Sequence, residues 1–413
     1  MANDLDKIQN SNKSESLEPL QGKAWEAFGI AERAAMANSG MRALREGQVA
    51  AFLVAGGQGT RLGHEGPKGT FQIGLPSGKS LFQLQAERIL NLGRQAGKPI
   101  PWVIMTSADN HEATTSFFTA HKNFGVAEKD LYFFQQDQLP VVDGQGRILL
   151  DSMGGISLGP NGNGGCFLGL KKSGTLDALN NRGVKWVFVY SVDNALVKVC
   201  DPSFVGFAQA SGLPAASKAV SKASPEEKVG VFCLRNARPS VIEYSEMTQE
   251  MLGAVDAKNR LLFSSANIAI HLFKLDFLSE NADSTLPYHV AHKKIKRITS
   301  NGEIDNPTIP NAYKFELFMF DLFPRAPGMA ILEVKREEEF APVKNAAGSD
   351  SPASARELIL NMHRSWAMNM GLSEVEIGDG KVEISPLISY AGEGIALQSI
   401  RMGRNKEGDF LVN

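Results

Sequence analysis

The chain has 413 residues, of which 43% are hydrophobic and 21% charged, as in ordinary globular proteins with one large domain or several smaller ones. Lys and Arg total 43 against 45 for Asp and Glu, so no excess charge favours nucleic acid or an anionic membrane as a partner. The three cysteines are far apart, which argues against a disulfide framework or a zinc knuckle. With no secretion signal and no transmembrane stretch in the sequence, we expect a cytoplasmic protein.

The first 47 residues are predicted to form a polar tail and a helical segment. Residues 1–22 are polar and poor in aromatics, and we expect them to be disordered or to lie loosely over the fold. Residues 24–44 are rich in Ala and Arg, which predicts a helix that is interrupted near Ser39 and Gly40.

From Gln48 onward, apolar runs of strand length alternate with helical stretches. The strand-like runs are AAFLVA, WVIM, LYFFQQ and VKWVFVYSV, and the helical stretches are SLFQLQAERILNLGRQAG, which begins with the capping pair Ser80 and Gln83, and HEATTSFFTAHKNFG. This alternation predicts βαβ units in an α/β fold, with a largely parallel sheet covered by helices on both faces. Later runs (VGVFCLR, SVIEYSE, ANIAIHLF) extend the main domain over 48–372, and residues 373–413, with VEISPLISYAGEGI, are predicted to be a small strand-rich appendix.

The most informative segment is LVAGGQGTRLGHEGPKG, at residues 53–69. It follows a buried strand, and Gly56, Gly57 and Gly59 allow backbone N–H groups to close on an anion. Arg61 and Lys68 add positive charge within reach of the same loop. The segment therefore predicts a phosphate site at the carboxyl end of a strand.

Three better-known motifs are disfavoured by their spacing. A P-loop requires Lys after its last glycine, and here Gly63 is followed by His64. A dinucleotide-binding dehydrogenase requires G-x-G-x-x-G, but the last glycine arrives one residue late. The G-x-S-x-G at residues 155–159 resembles a hydrolase elbow, yet a glycine-rich loop follows it instead of a helix.

Asp193 is the candidate metal ligand. It ends the apolar run at 184–192, where ligands bind in open α/β sheets, and a carboxylate there could hold Mg²⁺ or simply cap the next turn. The phosphate loop on a neighbouring strand favours the metal hypothesis. His289 and His292 lack a third ligand nearby and are interpreted as ordinary histidines, and the basic run at 293–297 as a solvated face.

Together these segments resemble the UDP-N-acetylhexosamine pyrophosphorylases, within the larger group of nucleotidyltransferases that form UDP-sugars. The resemblance extends from about Gln48 to the carboxyl terminus and depends on VAGGQGTRLG with PKG, GLPSGKSLFQLQAERI, FFQQDQLP, NGNGG, SVDNALVKVCDPSFVGF, VIEYSE, ANIAIHLF, YHVAHKKI, KFELFMFD and ISYAGEGI. It implies a mixed, largely parallel, Rossmann-like nucleotidyltransferase sheet, with 48–372 as the catalytic domain. The eukaryotic members usually have an acid where Asn161 stands, and this leaves the sugar selectivity open.

The resemblance also implies an activity and a set of site residues. The expected reaction is uridylyl transfer from UTP to an N-acetylhexosamine 1-phosphate, usually N-acetylglucosamine 1-phosphate, with Mg²⁺ as cofactor. The expected catalytic residues are Arg61, Lys68 and Lys314, and Asp193 is expected to serve the metal. The residues expected to bind the nucleotide are Ala55, Gly56, Gly57, Gln136, Gly162 and Asp193. Those on the sugar side are Asn163, Glu243, Tyr244, Asn267 and Lys344, the last also near the phosphates.

Two alternatives remain at this stage. One is a UDP-glucose or broad-specificity UDP-sugar pyrophosphorylase, although Gln58 and the Pro67-Lys68 pair favour the N-acetylhexosamine branch. The other is a nucleotide-binding protein without activity, which the presence of Arg61, Lys68 and Asp193 disfavours. We expect a monomer or a weak homo-oligomer.

Overall fold

The structure is a computed structural model that describes residues 16–151, 153–299 and 301–413. The strands are β1 (Leu17–Pro19), β2 (Lys23–Ala24), β3 (Val49–Val54), β4 (Trp102–Thr106), β5 (Leu131–Gln135), β6 (Gln138–Pro140), β7 (Leu158–Pro160), β8 (Trp186–Ser191), β9 (Ala215–Ser221), β10 (Val231–Arg235), β11 (Arg238–Ile242), β12 (Ser265–Lys274), β13 (His289–Lys293), β14 (Arg297–Ile298), β15 (Ile304–Asp305), β16 (Ala312–Glu316), β17 (Ala330–Glu333), β18 (Val382–Ile384) and β19 (Phe410–Val412). The α-helices are α1 (Ile30–Arg45), α2 (Leu81–Ala96), α3 (His111–Ala120), α4 (Cys166–Lys172), α5 (Thr175–Asn181), α6 (Pro202–Ser211), α7 (Gln249–Gly253), α8 (Leu275–Asn281), α9 (Arg336–Glu339), α10 (Pro352–Asn369), α11 (Glu374–Ile377) and α12 (Leu397–Met402).

The central sheet has the strand order β2-β17-β9-β12-β8-β3-β4-β5. Only β12 runs antiparallel to its neighbours along this path, β8 and β9. The other neighbouring pairs are parallel, and β10 extends the sheet beside β12 and carries β1 and β11. The mixed, largely parallel sheet that the sequence predicted is therefore confirmed.

Helices cover both faces of this sheet. Successive residues of the strand β3 point to opposite faces and therefore contact different helices. Ala51 belongs to one buried apolar cluster together with Phe82 of α2. Phe52 belongs to a second cluster together with Phe167 of α4. A strand buried on both faces must be apolar at every position, which is why VAAFLV shows no alternation of polar and apolar residues.

Residues 16–29 are more ordered and less helical than predicted. β1 pairs antiparallel with β10, and β2 pairs parallel with β17, so the expectation of a loose tail up to Gly22 was wrong for residues 17–19. The rest of that expectation, for residues 1–15, lies outside the described residues. The helix begins at Ile30 rather than near residue 24. Local composition missed both strands because they depend on distant partners.

The predicted break near Ser39 and Gly40 was also wrong, because α1 continues through both residues. A Cβ on Gly40 would lie 1.8 Å from the carbonyl oxygen of Pro202, and one on Gly206 would lie 1.8 Å from that of Met36. The two glycines therefore let α1 and α6 cross with their backbones in contact.

The carboxyl-terminal region is less strand-rich than predicted. Only β18 and β19 form strands among residues 373–413, and they pair in parallel beside the short helices α11 and α12. After β18, Pro386 has no N–H to donate, and the Glu393 carboxylate accepts the backbone N–H groups of Tyr390 and Ala391, so the chain turns. Glu383 accepts bonds from the backbone N–H and hydroxyl of Ser77 at 2.8 and 2.5 Å, which attaches this region to the segment before α2.

No helix in the part of the chain that the structure describes is both long and apolar enough to cross a membrane.

Candidate active site

The glycine-rich loop after β3 is held closed by its own backbone and by one buried side chain. The N–H of Lys68 donates to the carbonyl of Gly57 at 3.1 Å, and the side-chain amide of Asn110 donates to the carbonyl of Ala55 at 2.9 Å. Gly57 is exposed, and a Cβ placed on it would meet no atom within 4 Å. The loop thus combines a fixed backbone with open space above it, as an anion site requires.

Gln136 contacts the same loop from the neighbouring strands. It follows β5, its N–H donates to the carbonyl of Thr106 at 2.8 Å, and its side chain is buried. A Cβ on Gly56 would lie only 3.0 Å from Nε2 of Gln136. Gly56 and Gln136, both of which the resemblance assigned to the nucleotide, are therefore side by side.

Asp193 and Lys68 face each other where β8 and β3 end. Lys68 Nζ lies 3.6 Å from Asp193 Oδ2, and both side chains are mostly buried. β3 and β8 are parallel neighbours, so residues that follow them meet at one edge of the sheet. Arg61 is exposed in the short 3₁₀ turn Thr60–Leu62 of the loop.

The loop that carries Gly162 is hydrogen-bonded to Asp137, the residue that follows Gln136 in the sequence. Asn161 N donates to the carbonyl of Asp137 at 3.1 Å, and Leu317 N donates to that of Asn161 at 2.8 Å. Gly162 has a φ of 82°, and a Cβ on it would lie 2.3 Å from the carbonyl oxygen of Leu317. A glycine is therefore needed here both for the dihedral angle and for space.

Lys314 and Asn163 border this loop on either side. A Cβ on Gly159 would lie 3.4 Å from Lys314 Nζ, so this lysine packs across β7. Among the described residues, the lysine that pairs with Asp193 is Lys68 and not Lys314. The side-chain oxygen of Asn163 accepts the N–H of Met319 at 2.8 Å, which joins the loop to the 3₁₀ segment Met319–Arg325.

Glu243 and Asn267 lie on either side of Gly230. A Cβ on Gly230 would lie 2.8 Å from Glu243 Oε1, and the N–H of Asn267 donates to the Gly230 carbonyl at 2.8 Å. The pairing of β12 with β9 shifts register just after Asn267, and such bulges redirect side chains beside binding sites. Tyr244, next to Glu243, is 44% exposed and thus accessible to a ligand.

The electrostatics of Glu243 show which charged groups share its surroundings. Burial raises the pKa of Glu243, and the neighbouring carboxylate of Glu246 raises it further. Asp321 raises this pKa as well, whereas the cation of Lys344, and His289 when it is protonated, lower it. Side chains from distant parts of the sequence therefore act on one carboxylate.

Lys344 is tied to Asp193 through the backbone. Val343 N donates to the carbonyl oxygen of Asp193 at 2.9 Å. Asn194, which the sequence did not identify as a candidate, holds the same segment: its side-chain N–H donates to the carbonyl of Glu339 at 2.7 Å, and its side-chain oxygen accepts the N–H of Ala341 at 3.0 Å. An amide after a strand was the available signal, but its partners lie about 145 residues away.

The residues present fit a magnesium ion. No cluster of three or more His, Cys, Asp or Glu side chains suited to a metal occurs in the described chain. Mg²⁺ usually takes one or two carboxylates and completes its coordination with water and substrate phosphates, so the Asp193 carboxylate above an open anion loop suits it.

Comparisons with known proteins agree with this geometry. The sequence profile of the UDPGP family, described as UTP--glucose-1-phosphate uridylyltransferase, matches residues 6–393. The chain is 44% identical over 387 residues to UDP-N-acetylglucosamine diphosphorylase 2 of Arabidopsis thaliana, covering 88% of this chain and 75% of that protein. It is 41% identical over 370 residues to UDP-N-acetylglucosamine pyrophosphorylase of Saccharomyces cerevisiae, covering 86% and 77%.

A solved structure is similar over the whole fold. The UDP-N-acetylglucosamine pyrophosphorylase of Trypanosoma brucei, crystallised with an inhibitor, aligns with a TM-score of 0.86 and 31% identity over 100% of this chain and 89% of that one. The UDP-glucose phosphorylase of the same organism aligns with a TM-score of 0.63 at 18% identity, which supports the fold alone. The predicted fold class and enzyme class are confirmed, and the chain belongs to the UDPGP family of uridylyltransferases.

Proposed function

We propose that the protein transfers the uridylyl group of UTP to N-acetylglucosamine 1-phosphate and releases pyrophosphate. The observation that carries this proposal is the approach of Lys68 to Asp193, 3.6 Å apart, beside the open loop at Gly57. The names of the Arabidopsis and yeast relatives support N-acetylglucosamine as the sugar.

In this proposal the nucleotide lies along the carboxyl ends of β3, β5 and β8. The backbone of Ala55, Gly56 and Gly57 faces the phosphates, and Gln136 with Gly162 contacts the uridine. An amide side chain has both a donor and an acceptor, which matches the mixed hydrogen-bonding edge of uracil. The contact between Gly56 and Gln136 supports placing base and phosphates on the same wall.

The proposed chemistry requires no protein nucleophile. A phosphate oxygen of the sugar phosphate attacks the α-phosphorus of UTP in line, the new O–P bond forms, and the bond to the β-phosphate oxygen breaks. Catalysis is then positioning and stabilisation of charge, which Lys68, Arg61 and Lys314 are suited to supply. Removing one such donor from a preorganised site typically costs about 3 kcal/mol of transition-state stabilisation.

We propose Mg²⁺ as the cofactor, held by Asp193. When bound, such an ion neutralises charge on the phosphates. Lys68 lies close enough to Asp193 to orient its carboxylate and to keep its own charge near the phosphate loop.

We propose that Asn163, Glu243, Tyr244, Asn267 and Lys344 bind the sugar phosphate. Glu243 and Asn267 lie together around Gly230, and Lys344 is electrostatically coupled to Glu243. A carboxylate and an amide suit sugar hydroxyl groups and an acetamido group, and a lysine suits the phosphate.

A panel of sugar 1-phosphates at equal concentration tests the proposal and its alternative. We expect pyrophosphate release that requires UTP and Mg²⁺ and is fastest with N-acetylglucosamine 1-phosphate. Faster turnover with glucose or galactose 1-phosphate would instead support a UDP-glucose or broad-specificity enzyme. No release with any sugar phosphate would refute uridylyl transfer, and binding of NAD in a calorimetric titration would contradict the assignment of the loop.

We also propose that residues 48–372 are the catalytic domain, that 1–47 and 373–413 are appended to it, and that the protein is a monomer or weak homo-oligomer in the cytoplasm.

A further inference from the structure

His289 and Asp321 form a pair to which the assigned site gives no role. His289 opens β13, and its Nε2 lies 2.8 Å from Asp321 Oδ2. Its ring also packs against Phe318, with centroids 4.3 Å apart. These contacts fix the position and the plane of the imidazole.

The pair borders the residues assigned to the sugar. Phe318 immediately precedes Met319, whose N–H bonds to the side chain of Asn163. Both members of the pair act on Glu243: Asp321 raises the pKa of that carboxyl group, and His289, when it is protonated, lowers it as Lys344 does. The pair therefore lies near two of the proposed sugar-binding residues, Asn163 and Glu243, which come from separate segments of the chain.

The donor and acceptor roles of the ring follow from its partner. An ionised carboxylate can only accept, so Nε2 of His289 must carry the hydrogen in the bond to Asp321. In the neutral ring the other nitrogen, Nδ1, then has a free lone pair, and no bond to it is formed by residues 16–151, 153–299 or 301–413. The His289 side chain is 36% exposed, so a ligand can reach it.

We propose that His289, oriented by Asp321, accepts a hydrogen bond at Nδ1 from a hydroxyl or amide group of the sugar and thereby helps to select it. This inference rests on the proposed function, since it assigns one more residue to the sugar phosphate. Glu243 and His289 supply two acceptors of different geometry, and together they favour sugars whose donors match both positions.

Two substitutions separate binding at Nδ1 from a merely structural role. His289→Asn keeps a polar atom near the position of Nδ1 and loses the bond to Asp321, whereas His289→Gln keeps a polar atom near Nε2 and loses Nδ1. If Nδ1 binds the sugar, His289→Gln should raise the KM for N-acetylglucosamine 1-phosphate about tenfold, because the hydrogen bond to the sugar is lost. His289→Asn keeps that hydrogen bond and should raise the KM less. The KM for UTP should stay unchanged in both.

The control is His292→Asn on the same strand. His292 is exposed and stacks on Tyr313 with ring centroids 4.5 Å apart, away from Asp321, so its KM values should match those of the unmodified protein. Melting temperatures of all three variants show whether the fold is retained.

The opposite ranking, with His289→Gln normal and His289→Asn impaired, would show that the Asp321 contact is structural and would overturn the proposal. An equal rise in the KM for UTP would do the same. Failure of the underlying function is distinct, because the unmodified protein would then release no pyrophosphate with any sugar phosphate.

Discussion

The two halves of the proposed site are built differently. Most of the proposed nucleotide half (Gly56, Gly57, Lys68, Gln136, Asp193) follows three parallel strands, β3, β5 and β8, whose carboxyl ends share one edge of the sheet, while Gly162 comes from the loop after β7. The sugar half (Asn163, Glu243, Tyr244, Asn267, Lys344) comes from loops, an antiparallel strand and a segment after α9. The first is fixed by the sheet itself, and the second depends on contacts between distant segments. Substitutions can test whether the halves are as independent as this suggests.

The largest effect is expected for Asp193→Asn in the nucleotide half. Loss of the charge removes the proposed metal ligand and the partner of Lys68, and we expect kcat to fall by about 10²- to 10³-fold. A higher Mg²⁺ requirement in a pyrophosphate-release assay would identify the metal as the cause. Asp283→Asn, which alters an exposed ion pair with Lys171, is the control and should leave kcat unchanged. Normal turnover by Asp193→Asn at low Mg²⁺ would refute the assignment.

Asn194→Ala tests the connection between the halves. The substitution leaves the buried carbonyl of Glu339 and N–H of Ala341 without their partner, which should lower the free energy of unfolding by about 2 to 3 kcal/mol. Because this segment links Asp193 to Lys344, we expect the KM values for both substrates to rise. Denaturant titration gives the stability change, and a rise confined to one substrate would show that the halves are held separately.

Gly56→Ala and Gly57→Ala separate two effects of an added methyl group. At Gly56 the methyl group would contact a protein side chain, and at Gly57 it could contact only the bound nucleotide. A Cβ on Gly56 would press on the Gln136 amide at 3.0 Å, so the KM for UTP should rise about tenfold, the effect of losing one hydrogen bond. A Cβ on Gly57 meets nothing, so this variant should fold normally, and any loss of UTP affinity reports contact with the nucleotide itself. Unchanged UTP binding by both variants would show that the nucleotide lies elsewhere.

Glu243→Gln tests the sugar half and its pH dependence. We expect a rise of less than about tenfold in the KM for the sugar phosphate, with the KM for UTP unchanged. Because burial and Glu246 raise the pKa of Glu243, its carboxylate is charged above that raised pKa and protonates as the pH falls through it. Sugar-phosphate binding should therefore weaken on acidification in the unmodified protein.

In Glu243→Gln, that change with pH should be absent. The raised pKa also means that the charged form disfavours folding at neutral pH, so the variant should unfold at the same or a higher temperature. A KM that varies with pH to the same extent in both proteins would assign the titration to another group.

The residues proposed for the nucleotide have a clearer signal in the local sequence than those proposed for the sugar, for a physical reason. Glycines, a lysine and an aspartate that directly follow apolar strands signal a phosphate site within a short window of sequence. Glu243 and Lys344 have no such local signature, and only the family resemblance identified them. His289 was interpreted as an ordinary histidine because its partner Asp321 lies 32 residues away.

The same distinction explains the errors at the two ends of the chain. β1 and β2 are too short to be recognised from the sequence alone. They form because their backbones pair with β10 and β17. Gly40 looked like a helix breaker, but its function is to let α6 approach. Near the carboxyl terminus, the stretch around Tyr390 forms turns instead of a strand, because the Glu393 carboxylate accepts the backbone N–H groups of Tyr390 and Ala391 that a neighbouring strand would otherwise bind.

The sequence by itself determined the α/β class, the glycine-rich loop after β3 and the residues that end the parallel strands, because each depends on neighbours within a few positions. Only the tertiary structure decided which distant side chains meet: Lys68 with Asp193, Asn194 with the segment before Lys344, and His289 with Asp321. Such contacts depend on how the sheet orders its strands, and a long-range pairing leaves no periodicity in the chain that could reveal it.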